Sequence, residues 1–94
     1  MSDQSSQTAE PLSVYTLISV SVEQLASVAW QKMGLQSDPL TGKIEKDLSQ
    51  ARVAVDAVAD LVRHLEPVLD EDDRRSVQNM LRDLRVNFVQ HSKE

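Results

Sequence analysis

The chain has 94 residues, 15 acidic against 10 basic side chains, a formal net charge of −5 and no cysteine. That length makes one small domain with a modest core. With no cysteine to staple it, folding must rest on apolar burial or on a partner subunit. A net negative chain also argues against general affinity for phosphate backbones, which takes concentrated Lys and Arg.

Residues 1–12 read as a disordered tail ahead of a helical domain over 13–91. The stretch from Met1 to Glu10 is rich in Ser, Gln and Thr and has no apolar period. It shows neither the basic start nor the apolar centre of a signal peptide, so the protein reads as cytoplasmic. Ser13 is a plausible N-cap for helix 1, from about Val14 to Met33. Gly34 suits the left-handed position after a helix end, with Leu35 as its apolar follower. Asp38-Pro39-Leu40-Thr41-Gly42 forms a turn, and both glycines of the chain lie in this connector. Asp47 with Gln50 three residues on matches a capping box for helix 2, from about Leu48 to Leu65. Pro67 disfavours helical geometry at Glu66 and ends it. Asp70 caps helix 3, from about Glu71 to Gln90. Periodicity shows no strand-like alternation. The expected fold is therefore all-α, with three helices of which the first two form an antiparallel hairpin.

The helix faces differ. Helix 2 carries one apolar stripe, Leu48, Ala51, Val55, Val58, Val62 and Leu65. Its far side bears Arg52/Asp56 and Asp60/Arg63, each able to pair along the surface. Helix 3 has Val77, Met80, Leu81, Leu84 and Phe88, with Val86 and Val89 off that stripe. Helix 1 is broader. Between Ser13 and Met33 only Glu23 and Lys32 are charged, and its apolar residues spread over roughly 220° of arc, about twice what one small core needs. Thr16, Ser19, Ser21, Glu23, Gln24, Ser27 and Gln31 punctuate the helix and make it too polar for a membrane span, so burial by association is the favoured reading. The surplus predicts a symmetric homodimer through helix 1, with Ile18, Val22, Leu25 and Ala29 expected near the seam by their four-three-four spacing.

Candidate chemistry is sparse. His64 and His91 stand outside any zinc-ligand spacing. Asp70-Glu71-Asp72-Asp73 fails as a calcium loop because Arg75 and Leu81 occupy the sixth and twelfth places; acids there suit the positive end of a helix. Gly42-Lys43 lacks the spacing of a phosphate loop. Asp56 and Asp60 share a polar, solvated face, which leaves no tuned acid–base pair. No catalytic residue, metal site or cofactor is expected. Arg74, Arg75, Arg82 and Arg85 give helix 3 a basic side that could touch RNA. Asp72, Asp73 and Asp83 interleave with them, so a solvated, charge-balanced face is the favoured reading and nucleic acid is disfavoured.

Four segments together resemble a known family. They are Met33-Gly34-Leu35, Asp38-Pro39-Leu40-Thr41-Gly42-Lys43, Asp47-Leu48-Ser49-Gln50-Ala51, and Leu81-Arg82-Asp83-Leu84-Arg85-Val86-Asn87-Phe88-Val89. In this combination, over Leu12 to Gln90, the chain resembles the bacterial domain-of-unknown-function family 1844. Asn87 departs from the pattern, which has an Arg there, and weakens any paired-arginine site. The resemblance implies a small all-helical cytoplasmic protein without an assigned activity. Together these readings predict a non-enzymatic, self-associating module that docks an unidentified protein partner. The alternative is an RNA- or ribosome-associated factor using the basic side of helix 3.

Overall fold

A computed structural model describes residues 11–93. It consists of α1 (Val14–Lys32), α2 (Leu48–Leu65), a short 3-10 turn (Glu66–Val68) and α3 (Glu71–Ser92), with no strand among the described residues. Most of the expected tail, residues 1–10, lies outside the described residues; Pro11 and Leu12 precede α1 without regular structure.

Each helix starts where a side chain satisfies its first free N–H groups. Ser13 Oγ accepts from the Tyr15 amide at 3.1 Å, and Asp70 accepts from the Asp73 amide at 2.8 Å. α1 stops in a full Schellman turn: Gly34 at φ +87° donates to the Gln31 carbonyl, and Leu35 donates to that of Trp30. Beyond it, the Asp38 carboxylate accepts from the Leu40 amide at 2.7 Å. The Gly42 amide closes back on the Asp38 carbonyl at 2.7 Å, with Gly42 at φ +71°. A long connector is thereby held by its own short-range bonds.

The capping box at α2 is only half closed. Asp47 accepts from the Gln50 amide at 3.1 Å, as expected. The Gln50 side chain, however, donates to the second Asp47 carboxylate oxygen at 3.0 Å and not to the Asp47 backbone. That backbone N–H is already taken by the Lys32 carbonyl at 2.8 Å, which ties the end of α1 to the start of α2.

α1 and α2 pack antiparallel along their length, whereas α3 lies mainly on α2 and meets α1 only sparsely. The core consists of Val22, Ala26, Ala29 and Met33 from α1 with Ala51, Ala54, Val55, Val58, Val62 and Leu65 from α2. α3 adds only Leu81 and Leu84 as fully buried residues, while Val77, Met80 and Phe88 are half-buried against them. α3 also runs two residues further than the periodicity predicts. There the Asn87 amide donates to the Asp83 carbonyl, and His91 and Ser92 bond back to the carbonyls of Asn87 and Phe88. The 3-10 turn was not foreseen. Pro67 fits it because the first residues of such a turn have no internal partner for an N–H.

The Gln50 amide, followed by the Ser49 hydroxyl, holds the Asp47 carboxyl below the usual carboxylate range. A folded-state pKa lower than the unfolded one adds stability above the unfolded value, and that stability is lost as pH falls through the folded one. Thermal unfolding should therefore show a midpoint that drops on acidification from neutral pH towards about pH 3. In Asp47→Asn that drop should shrink relative to wild type, because the amide still accepts the cap bond but does not titrate. Asp47→Ala should be less stable than both at neutral pH.

Candidate interaction surfaces

Of the four residues expected at a dimer seam, two face inward and Leu25 borders the side that the chain leaves open. Val22 and Ala29 are buried in the chain's own core, and Ile18 and Leu25 are half-buried at its edge. The reason is geometric. These residues sit at the centre of the broad apolar arc of α1, and the centre of the arc is what faces α2. The surplus is on one flank, where Val14, Leu17, Ser21, Leu25 and Val28 follow a three-four-four-three spacing. Val14 is 62% exposed and Leu17 48%.

That flank continues onto α2. Leu25 and Val28 line a shallow depression with Gln50, Val53, Ala54 and Ala57, to which α3 contributes nothing. Val53 is 69% exposed. One helical turn beyond Ala57 along the same flank comes the half-buried Leu61. The α1–α2 hairpin thus has one side covered by α3 and one side left open by the described residues; no Asp, Glu, Lys or Arg falls on the α1 flank between Val14 and Val28, and on α2 Asp60, seven residues on from Val53 and paired with Arg63, stands at the edge of the open side. Sequence reasoning passed over Val53 and Ala57. Their signal was present: a valine outside the apolar stripe of an otherwise one-sided helix, level with the surplus of its neighbour.

The basic side of α3 is depleted by its own turn. Arg74 Nε and Nη2 donate to the Glu66 carbonyl at 3.2 and 3.0 Å. Nη2 also donates to the Leu69 carbonyl at 2.9 Å, and Nη1 reaches Glu71 at 3.4 Å. Its guanidinium closes the α2–α3 junction. Arg75 lies within 3.7 Å of Glu71 and 3.9 Å of Asp72, and Arg82 Nε lies 4.0 Å from Asp83. Arg85 makes no ion pair and lies in a cleft with Arg52, Asp56 and Phe88. The four arginines are therefore not brought together as a single cationic patch. On α2, Asp60 and Arg63 pair at 3.2 Å as expected; Arg52 and Asp56 do not pair, and both line that cleft against α3.

Among the described residues no group of three or more His, Cys, Asp or Glu side chains could hold a metal ion, and no helix is long and apolar enough to cross a membrane.

Comparison with known families bears out the resemblance. The model of the family described as Domain of unknown function (DUF1844) matches residues 15–90. The chain belongs to that family. The match runs from the first turn of α1 almost to the end of α3, so the family unit is the whole three-helix domain. No curated protein and no solved structure is detectably similar to it.

Charged donors on backbone carbonyls contribute on the order of 1–2 kcal/mol at a half-exposed site. Arg74→Ala should accordingly lower stability by about that amount in a denaturant titration. Arg75→Ala and Arg82→Ala, whose pairs are exposed, should each change it by less than about 0.5 kcal/mol.

Proposed function

We propose that this DUF1844 protein is a non-enzymatic, cytoplasmic interaction module whose first activity is self-association through the open side of the α1–α2 hairpin. One observation carries the reading: a largely apolar surface, bordered by Asp60, spans two adjacent helices and has no cover among the described residues. Contiguous apolar surface of this kind is uncommon on monomers and marks association sites.

Its size is adequate. The open side runs from Val14 to Val28 on α1, about 22 Å by the helical rise, and two packed helices are roughly 20 Å across. Its projection is on the order of 500 Å², and the accessible area of a corrugated surface exceeds its projection. Stable partners each bury about 800 Å². A two-fold axis lets the hairpin meet itself, which places four helices around a second core with each α3 outside. Burial of a valine or leucine side chain stabilises by roughly 1.5–3 kcal/mol, so a few from each chain offset the cost of association.

The RNA-associated alternative has less support, because Arg74 is engaged in the α2–α3 junction and Arg75 faces two acids. If it held, binding to bulk RNA at low salt should weaken steeply as salt rises.

Light scattering at micromolar concentration should give about twice the 10.5 kDa chain mass. A charge at Val53 or Val28 meets water in the isolated chain and apolar surface in the pair. Val53→Asp and Val28→Asp should therefore stay helical and shift to the monomer mass. A wild-type chain that weighs 10.5 kDa at these concentrations defeats the proposal. Val22→Asp is not a test of the seam, because it buries a charge in the core and unfolds the chain.

A further inference from the structure

The covered side of the hairpin carries a second surface of a different kind. Because α3 meets α1 only sparsely, the two splay where the first half of α3 passes the middle of α1. The gap is an open groove of about 380 Å³. Its floor is apolar: Val22 from α1, Leu65 and Leu69 from around the end of α2, and Val77 and Met80 from α3. Its rim is acidic. Glu23 stands on one wall and Asp73 on the other, and neither carboxylate has a cation within 4.0 Å. No Lys or Arg lines the groove. The nearest arginine in sequence, Arg74, has its guanidinium drawn to the carbonyls of Glu66 and Leu69.

We infer that this groove is a docking site for a cationic amphipathic helix of another protein, whose apolar stripe enters between α1 and α3 and whose flanking Lys or Arg side chains meet Glu23 and Asp73. Charge selects the occupant. An apolar floor recognises side chains spaced at i, i+3, i+4 and i+7 along a helix, and two unpartnered carboxylates on opposite walls select positive flanks. Residues 1–10 of the chain itself carry Asp3 and Glu10 and no Lys or Arg, so their charge opposes the rim. A second copy, at net −5, is likewise repelled from it. Met80 suits such a site because its unbranched thioether adapts to different apolar partners. The inference goes beyond self-association and does not depend on it, since the groove and the open hairpin side share no exposed residue.

The test is fluorescence anisotropy with a labelled Leu/Lys peptide of about 18 residues, its leucines at helical spacing. Two controls are a scrambled peptide of the same composition and a Leu/Glu peptide with the same leucines. The patterned cationic peptide should bind at least about tenfold more tightly than either control, and more weakly as salt rises. Met80→Glu should reduce its affinity about tenfold or more. Glu23→Lys with Asp73→Asn, both at exposed positions, should shift preference towards the Leu/Glu peptide. Equal binding of patterned and scrambled peptides overturns the inference. So does wild-type affinity in the exposed double variant. Val53→Asp should keep peptide affinity while changing the mass measured by light scattering. Loss of peptide binding in Val53→Asp with retention in Met80→Glu would place the peptide on the hairpin side and overturn the groove. A monomeric wild-type chain that still discriminates the peptides would defeat self-association and leave this inference standing.

Discussion

The contact between α1 and α2 is made largely of small side chains. Ala26 and Ala29 face Ala51 and Ala54 among valines, and Ala29, Ala51 and Val58 are fully buried. Alanines let two helices approach closely, but each removes little apolar area from water. The large apolar residues are consequently displaced to the two flanks of the seam. Leu65, Met33 and the α3 leucines gather on and around one flank; Leu17, Val28 and Val53 are left on the other. A small domain with a narrow alanine-rich seam has limited stability to draw on, and any association that covers the second flank adds to it.

Helix boundaries were legible because their signals are local. Ser13, Asp47 and Asp70 act as caps within one turn of their own backbone, and Gly34 is the residue that tolerates the left-handed conformation ending α1. The breadth of the apolar arc on α1 was also legible, since it needs only periodicity. Which part of the arc faces inward was not. A helical wheel has no fixed zero until a partner helix sets one, and that partner comes from residues some 30 positions away along a connector of irregular bonds. Taking the centre of the arc as the free surface, with Val22 and Ala29 in it, inverted the assignment. Arg74 illustrates the same limit. Read along the helix it belongs to a basic side with Arg75 and Arg82, but the carbonyls of Glu66 and Leu69 are close only once Pro67 has turned the chain.

The two surfaces of the hairpin differ in electrostatics, and this separates what each can bind. The open side is apolar except for Asp60 at its edge, which is paired with Arg63, and so can meet its own copy with little like-charge cost. The groove under α3 sets carboxylates beside apolar carbons, which penalises an acidic chain and favours a basic one. A net charge of −5 opposes approach of a second copy at long range, so self-association falls to the apolar side, where burial can offset that repulsion.

The width of the groove is set away from the groove itself. α3 has only two fully buried residues, Leu81 and Leu84, both in its middle, so its first half is located chiefly by the junction with α2. That junction is the 3-10 turn, the Asp70 cap and the Arg74 guanidinium on the carbonyls of Glu66 and Leu69. By closing the turn, Arg74 helps to hold the first half of α3, with Val77 and Met80, beside the groove. The same bonds withdraw a positive charge from the acidic rim. The half-buried Arg74 side chain thus helps to hold the wall of the groove while keeping its own charge off the rim.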